Sequence, residues 1–433
     1  MVALALLAPL FWSNDGSHVP RIFSGDEPHY LMSIHSVMLD GDLDLANNYA
    51  AVHKGSTQAG ANFAGTALDH QSVWFESGER RNWEKVYERH PDNFDRDGDG
   101  HPVPRLLVGE RQPPAGHPEY SQHPMGLALL LAPILYPLRD TAFVEPAAVV
   151  CSAVAVIIAF FLFRSLLTKY GVGGRVADLV AMVAFLGTPA WHYARTLFTE
   201  PYLLLFAVGA YSFGLRGYPA LAGVSIGLGI LMKPPFALLL LPLFAMLLAE
   251  RNLSALIRLS APVAVSIVVL FCLNHAMFGS PFVAAQAWLQ GSVIRGAGGI
   301  LISPQYGLLM VAPAVLVAFA AWPAFFRQFP RDALVIASGF ALYFLLAASW
   351  KYWNGATAYA ARIVVPVIPL LFVSLVALPK MTLWQWRPAR IGMLSICVLS
   401  MVINGFAAIA YWQNFDTNPP LRLAQFVAEK FRP

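Results

Sequence analysis

From residue 142 to residue 412 the chain alternates apolar runs with short polar joints. A membrane span needs about 20 apolar residues, somewhat fewer for a helix held inside a bundle. By that measure spans are predicted near 142–163, 175–193, 201–215, 218–232, 234–249, 259–277, 306–326, 332–349, 362–378 and 390–412. The opening run, Val2 to Trp12, is too short: at about 1.5 Å per residue it covers roughly half the hydrocarbon thickness. No Lys or Arg precedes it and no small-residue cleavage site follows, so it does not read as a signal peptide. It is expected to be part of a first helix whose cytoplasmic half lies ahead of Met1. With one crossing there, the pattern describes an all-α polytopic membrane protein of about 11 transmembrane helices.

Two stretches break the rhythm. The segment 13–122 is a long polar loop that nevertheless holds Trp74, Phe75, Trp83, Tyr87 and Phe94, more aromatics than disordered linkers carry, so it is expected to fold as a subdomain. Within it, Leu31, Ile34, Val37 and Met38 recur at near-helical spacing, which predicts an amphipathic interfacial helix over 27–39. The run 123–137 is short and marked by prolines and reads as an interfacial or re-entrant segment. The tail 413–433 contains LRLAQFVAEKF, an amphipathic surface helix by the same pattern. The chain thus reads as one integral membrane domain over 1–433, its bundle spanning 142–412.

Composition agrees with lipid as the main solvent: 57% of residues are hydrophobic and 12% charged. The net charge of +4 is spread without a long basic run, which argues for membrane topology and against nucleic acid as a partner. Three cysteines, each inside an apolar run, offer neither a disulfide framework nor zinc spacing. Basic residues gather in one set of loops (Arg164, Lys169, Arg175, Arg216, Arg251, Arg258, Arg327, Arg331, Lys380, Arg387 and Arg390), which marks the cytoplasmic side. The long loop then faces outward.

Candidate chemistry lies on that outward side. Asp26 and Glu27 open the predicted helix at 27–39, where a carboxylate can cap the helix N-terminus or act as a general base for a hydroxyl; the two readings are compatible. Arg195, Lys233, Lys351 and Arg362 are nearly the only cations of the short outward joints, and cations around an outward carboxylate suit an anionic leaving group such as phosphate. The run DRDGDG places Asp95, Asp97 and Asp99 before Gly100, like the first half of a calcium loop. Leu106 stands where an EF-hand needs its bidentate Glu, so the alternatives are a structural calcium ion and a solvated acidic turn. Gly223, Gly227 and Gly229 follow no strand and read as close helix packing. The acidic run at 40–45 reads as the turn and cap after the interfacial helix.

In order and spacing these motifs resemble the C-type superfamily of integral membrane glycosyltransferases, which includes protein O-mannosyltransferases and the aminoarabinose transferases that modify lipid A. The resemblance rests on GDEPHY at 25–30, on AR…TEP at 194–201, and on LMKPP at 231–235. YSQHPMGL at 120–127, SPQYGLL at 303–309 and WNG…ARIVVP at 353–366 support it. It implies transfer of a sugar from a polyprenyl-phosphate-linked donor to an acceptor hydroxyl on a lipid, glycan or protein. The reaction would occur at the outer face of the cytoplasmic membrane, with Asp26, and Glu27 beside it, at the catalytic centre. Lys233 and Arg362 are candidates for the leaving phosphate, and so is Arg195, for which Glu200 is an alternative partner. With one phosphate leaving, no cofactor is required, since side-chain cations can supply the stabilisation a metal would. Two positions depart from the aminoarabinose transferases: His29 stands for an arginine, and His123 before Pro-Met stands for a lysine before Pro-Pro. Both are candidates for the phosphate or for capping and packing. A flippase or transporter is the alternative from another class, but its usual ionisable residues near the midplane are missing here.

Overall fold

The computed structural model describes residues 2–11, 25–53, 71–76, 79–82, 94–96, 102–104, 116–283, 285–286, 288–355, 358–409 and 419–430. The chain divides into two compact units. One comprises Arg21–Ala148 and Ile267–Ala287; the other comprises Met1–Pro20, Val149–Ser266 and Trp288–Pro433.

In the larger, helical unit, α1 (Val2–Leu7) runs into a 3-10 turn at Ala8–Phe11. The chain between the units' divisions forms α2 (Glu27–His35), α3 (Ala46–His53) and α4 (Gly126–Leu135), described below with the smaller unit. The helical series continues with α5 (Val144–Thr168), α6 (Gly174–Leu186), α7 (Ala190–Tyr193), α8 (Glu200–Leu215), α9 (Pro219–Met232), α10 (Leu240–Ala249) and α11 (Leu253–Phe278). After α12 (Val293–Ile302) come α13 (Leu308–Val311), α14 (Ala314–Gln328) and α15 (Pro330–Ser349). A largely 3-10 run over Arg362–Lys380 encloses α16 (Ile368–Leu371), and α17 (Thr382–Gln385), α18 (Arg387–Ile409) and α19 (Pro419–Lys430) complete the chain.

Every predicted span has a helical counterpart, but not each is one α-helix: 234–249 opens with a 3-10 helix at Pro234–Leu239, 362–378 is largely 3-10, and two others are split. Gly187 and Pro189 end α6, so the run 175–193 becomes α6 and the single turn α7. Pro313, which has no N–H to continue a helix, divides 306–326 into α13 and α14. Among the described residues, five helices are long and apolar enough to cross a bilayer: Val144–Thr168, Leu253–Phe278, Pro330–Ser349, Arg362–Lys380 and Arg387–Ile409. Six further apolar helices of 10 to 17 residues accompany them. The protein is thus a mostly helical, multi-pass membrane protein. The Arg362–Lys380 segment is buried along nearly all its length. Pro366, Pro369 and Pro379 each remove a backbone donor, which explains its breaking into 3-10 turns around a short α-helix.

Close approach sets the helix pairing. A Cβ at Gly223 of α9 would meet the carbonyl of Leu259 in α11, one at Gly227 would meet Ser266, and one at Gly229 would meet the Phe236 ring. The glycines therefore pack helices, as their position inside a span suggests. Serine hydroxyls tie helices where side chains are small: Ser400 Oγ donates to Gly187 O (2.7 Å) and Ser374 Oγ to Ala318 O (2.8 Å). At the Arg-rich ends, Arg164 pairs with Asp178, Lys169 with Asp332, and Arg331 with Glu250.

The smaller unit contains a three-stranded antiparallel sheet in the order β2-β1-β5, with β1 at Ser72–Glu76, β2 at Glu79–Asn82 and β5 at Tyr120–Ser121. A separate pair joins β3 (Phe94–Arg96) to β4 (Pro102–Pro104). Val73 and Trp74 are buried, while Phe75 and Tyr120 pack on the Phe278 ring at 4.9 and 5.7 Å between centroids. Of the loop's aromatics, Trp83 and Tyr87 lie outside the described residues. Helix α2 packs against α4 and continues as a π-turn through Asp40. All nine residues of Glu27–His35 are buried, so α2 is enclosed by protein and does not lie with one face in solvent as the amphipathic reading expected. Gly41, at φ +73°, ends it in the left-handed conformation that glycine adopts without strain.

Candidate active site

In the smaller unit the candidate residues sit at the start of α2 and just before α4. Asp26 occupies the N-cap position in helical backbone geometry (φ −79°, ψ −13°), and its side chain makes no capping hydrogen bond. Its main-chain oxygen accepts from Tyr30 N at 3.1 Å. Of the two readings of the acidic pair, the helix cap is the one this geometry does not realise. Glu27, the first helical residue, is buried where a negative charge meets the positive end of the helix.

The two histidines are buried and joined through intermediaries. His29 Nδ1 lies 2.9 Å from Tyr49 Oη on α3, and that hydroxyl also accepts from Gln71 N at 3.1 Å. Gln71 Oε1 lies 2.8 Å from His123 Nε2 and accepts from Gln122 Nε2 at 3.0 Å. An amide oxygen can only accept, so His123 carries its proton on Nε2 in this bond. The His123 ring packs 4.9 Å from Tyr30, which returns the circuit to α2. The acidic run beyond α2 is likewise engaged: Asp42 Oδ1 accepts from Ser36 Oγ, Asp40 Oδ2 from Asn48 Nδ2, and Asp44 Oδ1 from the main-chain N–H groups of Ala46 and Glu119. The Asp44 bond to Ala46 N closes a turn just ahead of α3. Burial, and then the charges of Asp44 and Asp42, push the Tyr120 phenol up, so it stays protonated.

The helical unit gathers the other motifs. Glu200, the first residue of α8 and 1% exposed, pairs with Lys233 at 2.7 Å. Glu200 therefore belongs to Lys233, where the sequence left Arg195 as an alternative. Arg195 is buried and donates from Nη1 to the carbonyl of Ala408, near the C-terminal end of α18, where helix carbonyls lack intrahelical partners. His192 Nδ1 lies 2.8 Å from the neighbouring Ala407 carbonyl. Arg362 lies over the ring of Phe198, its Cζ 4.8 Å from the centroid. A Cβ at Gly355 would strike the Arg362 stem, so only glycine lets that turn pass.

A hydrogen-bonded chain holds these segments together. Tyr193 Oη donates to Tyr359 O (2.7 Å), Tyr359 Oη to Asn404 Oδ1 (3.1 Å), and Asn404 Nδ2 to Val311 O (2.7 Å). Ala361 N donates to Tyr306 O at 3.0 Å, which fixes the residue before Arg362. Burial pushes the Tyr359 phenol up and keeps it a donor. Ala360, between these anchors, is held at φ +58°, a strained conformation for a residue with a Cβ. Sequence reading did not single out Phe198, Tyr359 or Asn404. Asn404 was the most findable, as a lone amide inside the apolar run 390–412.

Asp97 and Asp99 lie outside the described residues, and Asp95 falls in β3. Among the described residues no group of three or more His, Cys, Asp or Glu side chains has the arrangement to hold a metal ion.

No family model and no curated protein matches the chain. Solved structures do. The aminoarabinose transferase ArnT from Cupriavidus metallidurans in its apo state is 13% identical and matches with a TM-score of 0.55, covering 100% of this chain and 79% of that one. The same protein bound to undecaprenyl phosphate is 15% identical with a TM-score of 0.53, covering 94% of this chain and 68% of that one. The archaeal oligosaccharyltransferase AglB from Archaeoglobus fulgidus, in complex with an inhibitory peptide and a dolichol-phosphate, is 11% identical with a TM-score of 0.47, covering 96% and 55%. The ArnT likeness establishes the fold as that of the C-type membrane glycosyltransferases, the fold the motif order suggested.

Proposed function

We propose that this chain is a membrane glycosyltransferase that moves a sugar from a polyprenyl-phosphate-linked donor to an acceptor hydroxyl on a lipid, glycan or protein. It works at the outer face of the cytoplasmic membrane, with about 11 crossings, as one transferase domain. The observation that carries this reading is the ArnT fold, together with the convergence of four separated motifs on one structured cluster. In that cluster Glu200 meets Lys233, Phe198 meets Arg362, and Tyr193 and Tyr306 hold the segment leading to Arg362.

Asp26 acts as the general base. It takes the proton of the acceptor hydroxyl, whose oxygen attacks the anomeric carbon while the bond to the lipid phosphate breaks, and the configuration at that carbon inverts. A base set on a helix buried along Glu27–His35 is held rigidly, as proton transfer requires. Glu27 supports it from inside the same turn. Arg362 and Lys233 offset the charge that grows on the departing phosphate. Lys233 shares its charge with Glu200, and Arg362 lies over the Phe198 ring. Arg195 secures the 192–200 segment to α18, and His29 and His123 secure α2, so these three act on the phosphate through position. Side-chain cations supply the stabilisation without a metal, and a calcium ion at Asp95, Asp97 and Asp99 would serve the fold of the smaller unit alone.

The test replaces Asp26 by Asn and measures transfer from polyprenyl-phosphate sugars in membranes. Transfer is expected to fall by about 10²- to 10⁴-fold. Full transfer in Asp26→Asn would exclude it as the base, and movement of lipid-linked sugar across the membrane without transfer would favour a flippase.

A further inference from the structure

At the end of α8 opposite Glu200, the helical unit holds a cavity of about 380 Å³. Its wall carries three guanidinium groups, Arg216 after α8, Arg258 on α11 and Arg331 on α15, against one carboxylate, Glu250. Arg331 pairs with Glu250, which leaves a net charge of about two positive units on Arg216 and Arg258. Those two donate locally, Arg216 to Ser165 and Arg258 to Ser254, and no carboxylate pairs with either among the described residues. The floor is apolar, made by Leu243 and Leu247 among others, which are 1% and 8% exposed. A cationic rim over an apolar floor matches an amphiphile with an anionic head.

We propose that this cavity binds the phosphate headgroup of an anionic glycerophospholipid. The volume lies at the low end of small-ligand sites, about 300–1,000 Å³, which suits a headgroup and the start of its chains. The exposed apolar side chains leading away from it take the remainder. Leu248, Phe244 and Leu241 stand at i, i−4 and i−7 along α10 and form one stripe running up from the cavity. Arg216, Arg258 and Arg331 belong to the loops and helix ends that the positive-inside rule places on the cytoplasmic side. There anionic lipid is abundant, and basic pockets between helices bind its headgroups. This lipid is distinct from the donor in the proposed reaction, because α8 separates the cavity from Glu200 by its full length of 16 residues, about 24 Å.

The full chain, purified in mild detergent, is incubated with phosphatidylglycerol or phosphatidylcholine and the retained lipid is read by native mass spectrometry. One phosphatidylglycerol per chain is expected to survive at collision energies that strip phosphatidylcholine. Arg216→Gln with Arg258→Gln is expected to weaken retention by about thirtyfold. Leu247→Trp, which fills the floor and keeps the charges, is expected to abolish retention too, and covers the case in which the arginine variant fails to fold. Equal retention of both lipids, or retention unaffected by Leu247→Trp, would overturn the proposal. Displacement of the lipid by millimolar inorganic phosphate would also overturn it, by assigning the cavity to a soluble anion.

Discussion

Removing the Lys233 ammonium separates a structural ion pair from a role toward the leaving phosphate. At 2.7 Å and an effective dielectric near 20, the pair with Glu200 has a gross attraction of about 6 kcal/mol. Desolvation of the buried Glu200 carboxylate offsets much of it, and the Lys233 side chain keeps 26% of its exposure, so screening reduces it further. Lys233→Met strands a carboxylate that is 1% exposed, and is expected to cost about 2–3 kcal/mol of stability. Glu200→Gln leaves a lysine with access to water and an amide oxygen that still accepts, and is expected to cost about 1–2 kcal/mol. The double variant leaves no uncompensated charge and should return to within about 1 kcal/mol of the parent. Thermal unfolding of the purified protein, followed with a thiol-independent dye, gives these stabilities, and sugar transfer in proteoliposomes gives activity. On the proposed role of Lys233 toward the departing phosphate, Lys233→Met and the double variant should both lose about 10- to 100-fold in transfer, whatever their stability. A double variant with parental transfer would refute the phosphate role. Lys233→Met unfolding at the parental temperature would refute the energetic account of the pair.

The opposite ends of the helices make two further predictions. Tyr170, in the joint between α5 and α6, donates to Asp332 Oδ2 at 3.1 Å, and burial first, then the Asp332 charge, pushes its phenol up from 10.0. A folded-state value above the unfolded one gives stability that is fully present below about pH 10 and declines as pH rises beyond it. Unfolding measured from pH 8 to 11 should therefore show a loss above pH 10 that is reduced in Tyr170→Phe, and an equal slope in both proteins would contradict the assignment. Gly223→Ala, which places a methyl group against the Leu259 carbonyl, should cost about 1–3 kcal/mol with α9 and α11 forced apart, and an unchanged unfolding temperature would mean that the contact is slack.

Much of this fold was legible because a bilayer makes hydrophobic length a direct signal: each apolar run became a helix, and the breaks fell where Gly187, Pro189 and Pro313 interrupt it. Helix α2 was legible in position but not in environment. Leu31, Ile34 and Met38 announced one apolar face, yet His29, Ser33 and His35 are buried as well. Ser33 is satisfied by the His29 carbonyl four residues back, a local device any helix offers. His29 instead needs Tyr49, and Tyr49 in turn meets Gln71, partners 20 and 22 residues apart that no periodicity connects.

The cations that the loop charges predict to face outward follow the same logic. By residue type and side of the membrane, Arg195, Lys233 and Arg362 were equivalent candidates for an anion. Tertiary partners divide them: Arg195 turns to the carbonyl end of α18, Lys233 to the Glu200 carboxylate, and Arg362 to the face of Phe198. A main-chain carbonyl satisfies a guanidinium without neutralising it, a carboxylate neutralises it, and an aromatic ring orients it while leaving its charge intact. Arg195 is buried against that carbonyl, and Lys233 shares its charge with a buried carboxylate. Arg362 stands on a segment pinned by Ala361 to Tyr306 and by Tyr359 to Tyr193 and Asn404. The strained Ala360 between those pins marks where the fold accepts a local cost to hold the segment leading to Arg362 in place, and on the proposed function a loss of transfer in Arg362→Gln is the expected outcome.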